Sequence, residues 1–300
     1  MEDILSIITF IYLILLIFLI YVYLYGGFNN IITKKEIKIK DKKVKSNFKI
    51  ALLTDIHSSK YTKNEITKIL KKENPDLIFL AGDIIDSRVS VEEGIDNIKE
   101  FPKLAKTYYV TGNHEAYVEE EFKIKEKLKK LGIIVLEGDL KKIKIAENDI
   151  NIFGYDDSSI GEEIYEKELE NIKKIKEKTN KEDLNLLISH RPEKDEEYKT
   201  LKMDYVFSGH AHGGQWRLYK NAKRGFYAPG QGFFPKLIDG IYDKENYKII
   251  VSAGLAKDNT KIPRIFNNPS YEIIKFEKMK WNTFIFFYFS IFLSLNIWYI

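Results

Sequence analysis

All five histidines of this 300-residue chain sit where an apolar run gives way to polar residues. His210 and His212 lie in Gly209-His210-Ala211-His212-Gly213-Gly214-Gln215, just beyond Tyr205-Val206-Phe207. His57 closes Leu52-Leu53-Thr54-Asp55-Ile56-His57, His114 follows Tyr109-Val110-Thr111-Gly112-Asn113, and His190 follows Leu186-Leu187-Ile188-Ser189. A short apolar run leading into glycines and polar residues reads as a buried strand feeding a loop at its carboxyl end. Residues two apart on a strand point to one side, so His210 and His212 can serve one cluster. The flanking glycines permit positive φ and leave room beside the backbone. A lone histidine at such a place is usually a capped surface or satisfied core residue. Five of five argue for convergence, which constrains the fold: distant strands must end in one place.

The rest of the pattern allows that. Apolar runs at 49–54, 77–81, 107–110, 184–188 and 205–207 alternate with segments of helical spacing at 63–72, 91–104, 119–131 and 162–178. Short strands are expected at 133–136, 142–145 and 150–153, late ones at 247–251 and 271–276, and an edge strand at 36–40. Strands alternating with helices imply an α/β sandwich with its sheets covered on their outer faces. The chain has no cysteine, which excludes disulfides, thiolate metal sites and cysteine nucleophiles. Its net charge of +4 comes from a surface rich in both Lys and Glu. That is unlike the concentrated basic face of a nucleic-acid binder, so no nucleic-acid partner is expected.

The ends differ from the middle. Ile4–Tyr25 is apolar over a membrane-spanning length, interrupted by Ser6 and Thr9. Glu2 and Asp3 stand where a signal peptide would be basic, and no small-residue cleavage site follows, so an uncleaved anchor is expected over residues 1–25. Residues 26–34 are the expected linker, 35–278 the main domain, and 281–300 a second apolar segment. Asn282, Ser290, Ser294 and Asn296 leave that last segment open between a second transmembrane helix and an interfacial or docked one. Lysines follow the first span (Lys34, Lys35, Lys38, Lys40, Lys42, Lys43, Lys45) and precede the second (Lys275, Lys278, Lys280). By the positive-inside rule, an integral membrane protein with a cytoplasmic central domain is expected.

Asp55, His57, Asp83, Asn113, His190, His210 and His212 all fall at carboxyl ends of predicted strands, where open α/β sheets place ligands. Carboxylates, imidazoles and an amide oxygen suit divalent Mn, Fe or Zn. Seven ligands exceed one tetrahedral ion but fit two ions sharing a carboxylate, roughly 3.5–4 Å apart. Taken singly, Asp83 reads equally as a turn residue and Asn113 as a left-handed turn residue. Asp86 and Glu115 stay open between helix capping and support of the ligands. Arg191 is open between a phosphate contact and a surface ion pair. The aromatic segment Phe226–Phe234 is open between packing and contact with the bilayer interface or a lipid.

Asp55-x-His57, Gly82-Asp83, Gly112-Asn113-His114-Glu115, His190 and Gly209-His210-x-His212 resemble, in order and spacing, the signature of calcineurin-like metallophosphoesterases. The resemblance runs from about Lys35 to Lys275. Gly209–Gln215, Ala228–Lys236 and the late Ser252–Leu255 and Pro263–Ile273 are similar to the bacterial membrane-associated branch. The resemblance implies a four-layer αββα sandwich and two divalent metal ions. It assigns Asp55, His57, Asp83 and His212 to one ion and Asp83, Asn113, His190 and His210 to the other, with Asp83 bridging. It makes His114 a catalytic proton or charge donor to the leaving group, and the reaction phosphoester hydrolysis by metal-bound hydroxide without a covalent enzyme intermediate. A lipid or nucleotide-lipid phosphodiester or pyrophosphate, UDP-diacylglucosamine being one such, is the substrate class a membrane anchor favours. Alternatives on the same scaffold are a cyclic-nucleotide phosphodiesterase, a nuclease, or a non-catalytic membrane-tethered binding protein. Ser58-Ser59-Lys60 departs from the glycine often found soon after Asp-x-His, which bears on the substrate mouth.

Overall fold

The structure, a computed structural model, describes residues 2–26, 31–118, 121–256 and 263–279. The second apolar segment, 281–300, lies outside them. A helix α1 (Glu2–Tyr25) precedes β1 (Thr33–Asp41), β2 (Phe48–Leu53), α2 (Glu65–Glu73), β3 (Leu77–Ala81), α3 (Val91–Ile98), β4 (Lys106–Val110), α4 (Asn113–Ala116) and α5 (Glu121–Lys130). There follow β5 (Ile134–Val135), β6 (Asp139–Ile145), β7 (Asn148–Gly154), α6 (Glu162–Lys176), β8 (Leu184–Ile188), α7 (Asp195–Leu201) and β9 (Tyr205–Ser208). The last elements are β10 (Tyr227–Ala228), β11 (Gly232–Phe233), β12 (Gly240–Asp243), β13 (Lys248–Val251) and β14 (Ser270–Lys278).

The fold is α/β with two mixed six-stranded sheets, ordered β1-β14-β2-β3-β4-β5 and β12-β13-β9-β8-β7-β6. Strands β2 to β5 are parallel to one another, as are β7, β8, β9 and β13. β3 and β8 are buried at every residue, which is why they read as unbroken apolar runs. Alternation along β2 divides the labour. Ile50 and Leu52 join Phe79, Tyr108, Leu186 and Phe207 in the core between the sheets, where Phe79 meets Phe207 edge to face at 5.0 Å.

Ala51 and Leu53 face outward to Ile66 and Leu70 of α2, Ile98 of α3 and Leu128 of α5. On the other flank Leu169 and Ile172 of α6 and Tyr198 and Leu201 of α7 cover Phe153, Leu187 and Val206. Ile66 and Leu70 are one helical turn apart, and full burial of each stabilises by about 1.5–3 kcal/mol. α2 stops at Asn74, whose φ of 47° is left-handed. α3 ends at Ile98, not at 104 as its spacing suggests, and a single 3₁₀ turn, Phe101–Lys103, follows. Pro102 is the reason: it lacks an N–H and restricts Phe101 before it.

β14 lies between β1 and β2, parallel to the first and antiparallel to the second. Thr33 pairs with Ser270 and Leu52 with Glu272, so the start of β1 lies at the same edge of the sheet as the carboxyl end of β2. α1 therefore enters the domain at the edge where β2, β3 and β4 end. Its Asp3–Tyr25 stretch is long and apolar enough to cross a membrane, the one such helix among the described residues. The helix is fastened to the domain at its end: Tyr21 packs on Phe266 at 5.2 Å, and the Phe266 N–H donates to the Gly26 carbonyl at 2.6 Å.

Candidate active site

The loops after β2 and β3 are tied to each other by backbone. The amides of Asp55, His57 and Ser58 donate to the carbonyls of Gly82, Asp83 and Ile84, each at 3.0 Å. This fixes side-chain direction at a cost in backbone strain. Asp55, His57, Asp83, His210 and His212 have φ of 48°, 50°, 52°, 64° and 45°. Non-glycine residues pay about 1–3 kcal/mol for such conformations, which persist only where surrounding structure over-determines them. Glycine is needed where the loops touch. A Cβ on Gly112 would lie 2.2 Å from Asp83 Oδ1, and one on Gly209 would lie 2.5 Å from Asp55 Oδ2.

The result is one buried cluster at the carboxyl ends of both sheets. Asp55, His57, Asp83 and His212 each offer a ligand atom within 4.8 Å of the others, as do Asp83, His190 and His210. Asp83 belongs to both groups. Its Oδ2 lies 3.3 Å from His190 Nε2 and 3.7 Å from His57 Nε2, while Asp55 Oδ1 lies 3.6 Å from His212 Nε2. His210 Nδ1 is 3.1 Å from His190 Nε2. Asn113 heads α4 beside His114, whose amide donates to Asp83 Oδ1 at 2.8 Å. The Asn113 Oδ1 is buried and accepts no hydrogen bond. Left so, a buried acceptor costs about 1–3 kcal/mol. An amide oxygen left in this state is a candidate cation ligand, and oxygen and imidazole donors fit divalent ions.

The charges make the same demand. Burial resists ionisation of Asp83, yet His190, His57 and His114 hold it well below the usual carboxylate range. Burial likewise opposes charge on His190, but Asp83, Asp55 and Asp157 push its pKa up to about 10. Burial, His190 and Arg191 push His210 down to about 3. Buried carboxylates here require positive charge, and a proton on His190 meets a need that divalent ions would meet better.

Around the ligands stand groups whose roles the sequence left open. Glu115 is a support: Oε2 accepts from the amides of Asp83 at 3.0 Å and Gly112 at 2.8 Å, and Oε1 from Ile84 at 2.7 Å and Ile85 at 2.8 Å. Burial and the Asp83 charge push its pKa up to about 7 against those bonds. Asp86 Oδ2 faces His57 Nδ1 at 3.2 Å, turning Nε2 toward Asp83, and is itself held by Arg88 at 2.5 Å. Arg191 takes the ion-pair reading, gripping Asp157 through Nε at 2.7 Å and Nη2 at 3.1 Å, with Nη1 3.2 Å from His210 Nε2.

His114 meets His57 edge-on at 4.4 Å between ring centroids, and its side chain is 25% exposed where the ligand histidines are at most 10% exposed. It is the imidazole of the cluster that a substrate can reach. Arg264 and Asn267 escaped notice in the sequence. Arg264 is buried and donates to the carbonyls of Ala253 at 2.8 Å and His212 at 3.4 Å, and Asn267 donates to the His212 carbonyl at 2.8 Å, so both hold the His212 loop. Their only sequence signal is a position in the late Pro263–Ile273 segment.

The sequence profile of calcineurin-like phosphoesterases matches residues 48–214, from the first residue of β2 to just past His212. The chain belongs to this family. An uncharacterized metallophosphoesterase of Campylobacter jejuni is 30% identical over 247 residues, 77% of this chain and 60% of that protein. One from Bacillus subtilis is 26% identical over 72% of this chain and 79% of its own length. A zebrafish transmembrane protein with a metallophosphoesterase domain is 28% identical over 56% of this chain and 40% of its own. This calcineurin-like phosphoesterase thus spans about three fifths of the Campylobacter relative's length. Calcineurin-like phosphoesterases use dinuclear divalent centres, and the cluster sharing Asp83 is a matching set of ligands.

Proposed function

We propose that this protein is a membrane-anchored, dinuclear metal-dependent phosphoesterase acting on a phosphodiester or pyrophosphate of a lipid or nucleotide-lipid. The observation that carries the reading is the sharing of Asp83 between two ligand groups, with the exposed His114 beside them. Asp55, His57, Asp83 and His212 would hold one ion, and Asp83, Asn113, His190 and His210 the other. When bound, such a pair supplies Lewis-acid activation of the phosphoryl group and a nucleophile from water at neutral pH.

The chain's own residues do the rest. Asp83 stays ionised because three imidazoles surround it, and Glu115 keeps its backbone in place. His114 donates a proton to the departing ester oxygen. Burial lowers the His114 pKa, Asp83 raises it, and His57 lowers it again, with a net fall. A lowered pKa makes the imidazolium a stronger acid, at the cost of its population at neutral pH. Tyr117, exposed three residues further on, meets the His114 ring edge-on at 6.2 Å between centroids.

The anchor supports a lipid-linked substrate, because α1 joins the domain at the edge where the catalytic strands end. On this reading residues 1–25 anchor a domain of residues 35–278, and the lysines after α1 support a cytoplasmic side for that domain. Metal analysis combined with hydrolysis of bis(4-nitrophenyl) phosphate tests the proposal. The wild-type chain should hold about two divalent ions and turn over the ester, and Asp83→Asn should do neither. Metal-replete protein inert on every phosphoester tried would overturn it.

A further inference from the structure

A cavity of about 890 Å³ opens between α1 and the loop that follows His212. Ligand sites commonly enclose about 300–1,000 Å³. Phe18, Leu19 and Val22 form the helix side, and Leu218, Phe226 and Ile265 belong to the domain side. The cavity does not overlap the histidine cluster, but the two share a loop. Arg217 Nε donates to the Gly213 carbonyl at 2.8 Å, and Asn267 joins the carbonyls of His212 and Gln215 at 2.8 and 3.0 Å. Whatever fills the cavity therefore lies against the segment that carries a metal-ligand candidate.

The rim has its own chemistry. Residues 216–226 carry Arg217, Lys220, Lys223 and Arg224 and no acidic side chain. Arg217 is engaged with Asp239 at 2.7 Å. Lys223 and Arg224 line the cavity, stand exposed, and have no carboxylate partner among the described residues. Trp216 and Tyr219, which also line the cavity, are 40% and 53% exposed. Aromatic rings and cations beside a helix of membrane-crossing length are the furniture of a bilayer interface.

We propose that this cavity receives an acyl chain of an anionic phospholipid while its phosphate group is held at the histidine cluster, which makes α1 a wall of the substrate site as well as an anchor. The inference rests on the phosphoester reading above and adds where the lipid sits. Three observations favour a lipid chain over another occupant. The lining is mostly apolar, one wall is itself the helix of membrane-crossing length, and the uncommitted Lys223 and Arg224 stand exposed in the opposite wall. A lipid entering from the bilayer would bring its anionic phosphate past Lys223 and Arg224 on the way to the cluster.

Trp216 lines the cavity and can report its contents. The chain's other tryptophans, Trp281 and Trp298, are replaced by phenylalanine in an otherwise full-length protein. This protein is placed in micelles doped with phosphatidylglycerol brominated mid-chain. Expected is quenching of Trp216 that saturates at low brominated-lipid fraction and is reversed by unbrominated phosphatidylglycerol. Val22→Phe and Ala222→Leu, which fill the cavity from opposite walls, should abolish the saturable part. Lys223→Ala and Arg224→Ala should each raise the lipid fraction at half-quenching by about fivefold.

Quenching linear in brominated lipid and equal in the filled variants would overturn the proposal. Trp216 would then touch bulk lipid only. So would saturable protection of Trp216 by a co-purifying protein helix in place of lipid. Hydrolysis of bis(4-nitrophenyl) phosphate is followed on the same samples. A thermal unfolding midpoint equal to that of the unfilled protein shows that the filled variants are folded. Saturable quenching without any turnover in metal-replete wild type would leave the lipid chain in its cavity and sink the phosphoesterase reading instead.

Discussion

Glu115 Oε2 accepts the backbone N–H of Asp83 at 3.0 Å, so a residue with no place among the ligands sets the position of the one they share. With three further amides on the same carboxylate, Glu115 ties the turn after β3 to the turn after β4. Groups that orient ligands typically matter about 10–100-fold in metal affinity. Glu115→Gln should weaken metal binding by that order in competition with a chelator. Glu115→Ala leaves four buried N–H groups without a partner and should cost more than about 3 kcal/mol in denaturant unfolding. Wild-type metal affinity in Glu115→Gln would show that the Asp83 turn holds itself.

His114 and Asp83 should fail differently. Asp83→Asn removes the charge that both ligand groups share and should lower metal content. His114→Ala removes an imidazole outside the seven ligand candidates and leaves the backbone bond to Asp83 in place, so metal content should be kept. Its rate on an alkyl phosphodiester should fall by about 10²–10⁴-fold, the usual worth of a positioned acid. The loss should be smaller on a 4-nitrophenyl ester, whose leaving group departs without a proton. An equal loss on both esters would assign His114 to something other than proton donation.

Glu272 supplies a pH dependence away from the metal cluster. It is fully buried in β14, accepts from Ser270 Oγ at 2.8 Å through Oε1, and leaves Oε2 without a hydrogen bond. Burial pushes its pKa up to about 7, against the pull of Lys35. The folded chain therefore holds a proton that the unfolded chain releases near pH 4.5. The associated stability is fully present below pH 4.5 and is lost as pH rises through about 7. The loss is at most about 3 kcal/mol. Glu272→Gln should flatten the fall in Tm between pH 5 and 8. A wild-type slope retained in this variant would place the titrating group elsewhere.

The absence of cysteine makes sidedness easy to read. Lys181→Cys, at an exposed position beyond α6, should resist an impermeant maleimide in intact cells and react after permeabilisation. Ready labelling in intact cells would put the domain on the outer side.

Much of the candidate site was legible in the sequence because each ligand candidate follows the end of an apolar strand, and a strand end is a local signal. The order of Asp55-x-His57, Gly82-Asp83, Asn113-His114 and His210-x-His212 then pointed to one set of candidates, six of which the fold brings into two groups sharing Asp83. Asp86 and Glu115 stayed ambiguous for a physical reason. A carboxylate that accepts backbone amides imposes no spacing on its partners, so nothing nearby in the chain advertises it. Arg264 is similar, since its partners are carbonyls brought close only by folding. The insertion of β14 between β1 and β2 was equally hidden, being a pairing across more than 200 residues. The aromatic stretch after Gln215 read as loops, and its partner in forming a cavity is a helix at the other end of the chain. The early stop of α3 was there to be read in Pro102.

The parallel pairing of β1 with β14 carries a mechanical consequence. Both strands run nine residues from the edge that α1 enters toward the opposite pole, and Lys278 lies there. At about 3.3 Å per residue that is roughly 26 Å from the level of Thr33. A second attachment to the same bilayer starting at Trp281 would turn the strand pair into a splint laid along the surface. A single attachment lets the domain stand upright on one corner. The two postures give the far pole, around Asp41 and Lys278, opposite exposure to lipid, and a spin label at either residue would tell them apart by its accessibility to oxygen.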